Sequence, residues 1–160
     1  MKNVVVAILM GSKTDLSVME EAAKVLQEFG VAYEIKVLSA HRTPRETNDY
    51  AENFRSKGGK VFICGAGVSA ALAGVVAAHS TLPVIGVPID SPPLNGMDAL
   101  LSTVQMPSGV PVGAVAIGKG GARNAGLLAV RILSLSDKTL ESKLDQFRES
   151  QRKKILETTL

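Results

Sequence analysis

Near its start the chain carries seven apolar residues in a row, Val4-Val5-Val6-Ala7-Ile8-Leu9-Met10. A strand with one wet face alternates apolar and polar side chains, and this run does not. It is also rich in β-branched residues. It therefore reads as a strand covered on both faces, the situation of a parallel sheet. At seven residues it is too short to cross a bilayer. Parallel neighbours need long crossover connections, usually helical. The first strand thus asks the remaining chain for a helix after each strand.

The chain supplies them. Gly11 to Asp15 breaks the first strand, and from Leu16 the spacing turns helical, with Leu16, Met19, Ala23 and Leu26 on one face. Gly30 ends that helix as a C-terminal cap. Tyr33 to Leu38 is strand two, and Pro44 to Lys57 is helix two. After Gly58-Gly59, Val61 to Cys64 is strand three. Gly65-Ala66-Gly67 reads as a flexible turn into an Ala/Val-rich helix over residues 69–78. Pro83 to Val87 is strand four, Pro88 to Asn95 a proline-rich loop, and Asp98 to Val104 a short helix. Val112 to Ile117 is strand five. Gly118 to Gly121 leads into a helix over 122–133, and Asp137 to Leu156 is an amphipathic tail helix with Leu140, Leu144 and Phe147 on one face. The expectation is an α/β fold, one domain over 1–160, built on a parallel five-stranded sheet. The flavodoxin-like order 2-1-3-4-5 suits five such strands, although the pattern alone does not fix it.

Charge and composition exclude several classes. The net charge is +3, from 18 basic and 15 acidic residues, too slight to argue for nucleic acid. Aromatics are 4% with no tryptophan, so single strands find no stacking platform. No stretch suits a membrane span. One cysteine, Cys64, excludes an internal disulfide and suits the cytoplasm. It ends a buried strand and reads as a packed thiol. His41 and His79 are the only histidines, and no His/Cys/Asp/Glu cluster has ligand spacing, so no metal site is expected. His79 reads as a helix-end histidine favoured by the dipole. Gly65 to Ala70 matches G-x-G-x-x-A, but in the third βα unit and without the acid a dinucleotide site needs. Gly113 to Lys119 matches G-x-x-x-x-G-K, but Gly120 stands where Ser or Thr must meet magnesium.

Three turns stay polar or glycine-rich where strands end: Gly11 to Asp15, Ser39 to Pro44, and Gly65 to Ser69. In the order 2-1-3 they would converge. Ser12 and Ser39 can donate to a phosphate at a helix start. Arg42 can clamp a phosphate or carboxylate bidentately. Asp15 can accept from ribose hydroxyls, and His41 can move a proton near neutral pH. Gly67 lets a ligand approach the backbone, with Ser69 beside it. These residues point to a sugar-phosphate ligand and acid–base chemistry.

Several long motifs carry a resemblance to a known family. They are Met10-Gly11-Ser12-x-x-Asp15, Ser39-Ala40-His41-Arg42-Thr43-Pro44, Leu82 to Pro88, Val104-Gln105-Met106-Pro107-x-Gly109-Val110-Pro111, and Asn124 to Ala129. Together they resemble N5-carboxyaminoimidazole ribonucleotide mutase of purine biosynthesis. The resemblance implies a flavodoxin-like αβα sandwich, a cytoplasmic homo-octamer, and no metal or organic cofactor. It implies a ribonucleotide substrate, with Ser12 and Asp15 on the ribose 5-phosphate portion and Ser39 and Arg42 on the phosphate side. His41 would be the general acid/base that moves a carboxylate from the exocyclic nitrogen to C4.

One segment departs from that pattern. The mutases run Gly-Ala-Gly-Gly-Ala-Ala-His-Leu-Pro-Gly after strand three, whereas residues 65–74 run Gly-Ala-Gly-Val-Ser-Ala-Ala-Leu-Ala-Gly. Ala71 stands at the histidine position, and His79 lies too far on to replace it. Ser69, Leu72 and Gly74 resemble the sister class, which carboxylates aminoimidazole ribonucleotide directly with CO2. That class is one alternative function. A non-catalytic flavin- or nucleotide-binding module is the other; it would need an aromatic or apolar platform for its ring, and Tyr33, Tyr50 and four phenylalanines offer little.

Overall fold

The computed structural model describes residues 3–159. Five parallel strands, β1 (Val6–Met10), β2 (Tyr33–Val37), β3 (Val61–Gly67), β4 (Val84–Ile89) and β5 (Gly113–Ala114), form one sheet in the order β2-β1-β3-β4-β5. The helices are α1 (Leu16–Phe29), α2 (Pro44–Phe54), α3 (Leu72–His79), α4 (Met97–Val104), α5 (Gly118–Ser134) and α6 (Lys138–Leu156). This is the flavodoxin-like three-layer arrangement. Among the described residues no helix is long and apolar enough to cross a membrane.

The first strand explains the layers. Val6, Ile8 and Met10 point into a core shared with α1, α5 and α6. Ala7 and Leu9 point into a second core with α2 and α3. All five side chains of β1 are fully buried, as its uninterrupted apolar run requires. Cys64 lies in the second core, and burial pushes its thiol pKa well up, so it stays protonated. On the tail helix, Leu140 and Leu144 are buried, and Phe147 meets Phe29 edge-on at 5.7 Å. Arg148, Arg152, Lys153 and Lys154 are exposed.

Several element boundaries differ from the sequence reading. Gly65-Ala66-Gly67 is no flexible turn but the end of β3, paired with β4 through Gly67↔Ile89. Glycine is present there because space is short: a Cβ on Gly65 would collide with the Met19 side chain. The following helix starts at Leu72 rather than 69. β4 runs on to Ile89 through Pro88. Val115 donates to Gly86 O (3.1 Å), so Gly86, and two residues on Pro88, turn their backbone polar groups toward β5. β5 has ended by that level, and the proline forfeits no ladder bond. β5 itself keeps only Gly113–Ala114 of the six residues expected, because the chain turns early into α5. Gly118 to Gly121 form the first turn of α5, and Gly121 lies too close to the Ala116 carbonyl to carry a side chain.

α1 and α5 pack closely through another glycine. A Cβ on Gly126 would lie 2.9 Å from both the Ala22 carbonyl oxygen and Val25 Cβ. Gly126→Val is therefore expected to destabilise the fold by about 1–3 kcal/mol through overpacking, read from the denaturation midpoint. Gly120 sits in the same helix, and a Cβ there meets nothing within 4 Å. Gly120→Ala should be neutral or stabilising by up to about 1 kcal/mol. Equal effects at the two positions would refute the packing argument.

Candidate active site

The parallel register brings the C-terminal ends of four strands to one edge of the sheet, with β3 and β4 running two residues beyond β1 and β2. Met10 pairs with Val37 on one side and Gly65 on the other, and Gly65 pairs with Val87. The turns that leave these strands surround one cleft of about 690 Å³. In open α/β sheets ligands bind at this edge.

The first turn is locked by its own side chains. Ser12 opens a short 3-10 turn, Lys13–Asp15, ahead of α1. The Thr14 N–H donates to Ser12 Oγ (3.3 Å), and the Ser12 N–H donates to Asp15 Oδ2 (3.0 Å). This reciprocal capping box fixes both predicted ligand groups before any ligand arrives. Burial raises the Asp15 pKa. The Ser12 N–H, the Thr14 hydroxyl and the nearby Arg42 charge all oppose that rise.

The second turn is also internally bonded. The Ser39 N–H donates to Thr43 Oγ1 (2.8 Å), and the Thr43 N–H donates to Ser39 O (2.9 Å). Pro44 then occupies the first position of α2, where its missing N–H is harmless. Arg42 links the two turns. Its guanidinium donates to Gly11 O (2.6 Å), and its Nε donates to Ser39 Oγ (3.4 Å). Arg42 itself lines the cleft. His41 stands exposed at the tip of this loop.

The third turn carries backbone strain. Val68 has φ of 55°, a left-handed conformation that costs a β-branched residue energy. Ser69 and Ala71 follow on the cleft wall. Ala71 therefore lines the site where the mutase pattern has histidine. Among the described residues, no aromatic side chain lines the cleft. Tyr50, Phe54 and Phe62 instead pack on one another in and beside the second core.

All seven residues singled out from the sequence, Ser12, Asp15, Ser39, His41, Arg42, Gly67 and Ser69, line this one cleft. The sequence reading missed a fourth turn, Asp90-Ser91 after β4, which lines it too. The three nearby prolines marked the segment as loop. The adjacency of β4 to β3 was the signal that could have found it. His79 lies elsewhere, at the end of α3, with Nδ1 2.9 Å from Glu52 Oε1. A slightly larger hollow, about 750 Å³, runs along α6, but one helix lines it and no strand end reaches it. Among the described residues no group of three His, Cys, Asp or Glu could hold a metal ion.

Known proteins share this architecture. The family described as AIR carboxylase matches residues 5–154. The N5-carboxyaminoimidazole ribonucleotide mutase of Bacillus subtilis (strain 168) is 55% identical over 154 residues, covering 96% of this chain and 95% of that protein. The protein of the same name from Saccharolobus solfataricus is 53% identical over 155 residues, covering 97% of each. The crystal structure of Treponema denticola PurE superposes with a TM-score of 0.87 at 35% identity, covering 96% of this chain and 94% of that one. With the match running over nearly its whole length, this chain belongs to the AIR carboxylase family.

Proposed function

We propose that this chain is a mutase that converts N5-carboxyaminoimidazole ribonucleotide to 4-carboxy-5-aminoimidazole ribonucleotide in purine biosynthesis. The observation that carries the reading is the full-length match, above 50% identity, to bacterial and archaeal relatives named as this enzyme. The cleft supplies matching chemistry. Arg42 and Ser39 hold the phosphate through charge-assisted and hydroxyl bonds. Ser12 and Asp15, preset by their capping box, hold the ribose 5-phosphate portion. Gly67 and Ser69 line the wall toward the ring. His41 gives a proton to the exocyclic nitrogen as its bond to the carboxyl carbon breaks and CO2 leaves. The ring carbon C4 then attacks the retained CO2, and the imidazole takes the C4 proton back. One proton is given and one recovered, so the cycle closes without a metal or organic cofactor. We place the enzyme in the cytoplasm, whose reducing conditions suit the single thiol.

Direct carboxylation of aminoimidazole ribonucleotide is the second reading, favoured by Ala71 on the cleft wall. Supplying each substrate separately decides between them. Rapid conversion of the N-carboxylated ribonucleotide without bicarbonate, with aminoimidazole ribonucleotide needing very high bicarbonate, is expected. Use of the second substrate at millimolar bicarbonate, with none of the first, would move the chain to the carboxylase class. In the same assay His41→Asn should bind ligand and lose turnover, and full activity in that variant would remove His41 from the chemistry.

Arg42→Ala should weaken substrate binding by roughly 10–150-fold, the loss of a charge-assisted bond of about 1.5–3 kcal/mol. Arg42→Lys should recover only part, because an ammonium lacks the planar fork. The KM of both variants measures this, and an unchanged value in Arg42→Ala would exclude the anchor role.

We further propose a homo-octamer, the assembly implied by the sequence resemblance. Retaining CO2 demands a closed site, and the cleft of one chain is open. Leu94, Met97, Leu101 and Val104 form an exposed apolar stripe along and just before α4. Covering it with other copies of this chain would bury that surface beside the fourth turn. Light scattering should report an assembly near eight chains, and a monomer at micromolar concentration would sink the proposal.

A further inference from the structure

Two buried side-chain oxygens lack a hydrogen-bond partner among the described residues, Asn48 Oδ1 and Ser91 Oγ. Only Ser91 lines the cleft. A buried hydroxyl without a partner is costly, and native proteins rarely keep one without use. Its position is set tightly. A Cβ on Gly67 would stand 3.2 Å from Ile89 O and 3.6 Å from Ser91 Oγ, so the fourth turn lies directly against the bare backbone of the third.

Strand order says which end of a ligand this hydroxyl meets. Ser39 and Arg42 follow β2, whereas Ser91 follows β4, three strand positions away in the order β2-β1-β3-β4. That is roughly 14 Å at ordinary strand spacing. A ribonucleotide anchored by its phosphate at Arg42 would extend its base along the cleft toward Ser91. One χ1 step between staggered wells can turn the hydroxyl toward that space.

We propose that Ser91 is a further substrate-binding residue that hydrogen-bonds the polar substituents of the imidazole ring, and that it makes no contact with the phosphate. The inference rests on the mutase reading above. A hydroxyl both donates and accepts, so either the ring amine or the C4 carboxylate can be its partner. It touches the ring end, so its loss is felt only by ligands that carry the ring.

The test compares wild type and Ser91→Ala by calorimetric titration with three probes: ribose 5-phosphate, aminoimidazole ribonucleotide, and the 4-carboxy product. The variant should bind the carboxylated product about tenfold more weakly, the loss of one hydrogen bond. It should bind ribose 5-phosphate as wild type does. If aminoimidazole ribonucleotide also weakens, the amine is the partner. If only the product does, the partner is the carboxylate. The melting temperature should not fall, since the substitution leaves no group newly unpaired. Unchanged affinity for both ring-bearing ligands would overturn the proposal, as would an equal loss for ribose 5-phosphate, which marks a general distortion of the cleft. If wild type itself binds neither ring-bearing ligand, the mutase reading falls, and this inference with it.

Discussion

The register of the parallel ladder around β1 is the constraint on which the site depends. β1 pairs with β2 and β3 over the same five residues, ending level at Met10, Val37 and Gly65. Both faces of β1 are buried, so a one-residue slip would exchange two cores of different composition: the long side chains Val6, Ile8 and Met10 against Ala7 and Leu9. Packing on both faces therefore fixes the register, and the register sets the height of every turn. β3 and β4 run two residues further, to Gly67 and Ile89. The third and fourth turns consequently form a raised wall beside the lower first and second.

On that frame the polar groups hold one another. Ser12, Thr14 and Asp15 bond one another in the turn ahead of α1, and Ser39 and Thr43 bond one another in the turn ahead of α2. Arg42 ties the two turns together through Gly11 O. Little has to be ordered when a ligand binds, and preorganisation of this kind lowers the entropic cost of binding. The structure gives Ser12 and Asp15 two places at once, in a capping box and on the cleft wall. A capping residue can line a ligand cleft because a helix start presents free donors there.

What could be read from the sequence divides along physical lines. β1, α1 with its Gly30 cap, and Pro44 at the head of α2 were legible because apolar periodicity and capping are local properties. The seven cleft residues were legible because six lie in turns directly after strands whose order could be guessed, and Gly67 ends such a strand. Gly65-Ala66-Gly67 was misread because glycine signals a break locally, whereas here it answers crowding by Met19, which is distant in sequence. β5 was overextended because its apolar run continues beyond Ala114, while its pairing with β4 does not. Ser91 was passed over because a serine among prolines carries no pattern. Its meaning comes from burial and from the neighbouring strand.

Val68 brings these threads together. The mutase pattern has glycine at its position, and a valine with φ of 55° carries a strain of about 1–3 kcal/mol. Such a conformation persists only when its neighbours determine it. Gly67 is held against the Ile89 carbonyl on one side, and Ala70 is buried on the other, leaving Val68 to span a fixed gap. Val68 lines the cleft and is more than half exposed, so burial returns little for the strain. The shape of the third turn is thus imposed by the ends of β3 and β4 rather than chosen by its own residues. The same two strand ends hold Ser91 against Gly67, so the strained turn and the unpartnered hydroxyl have one structural origin.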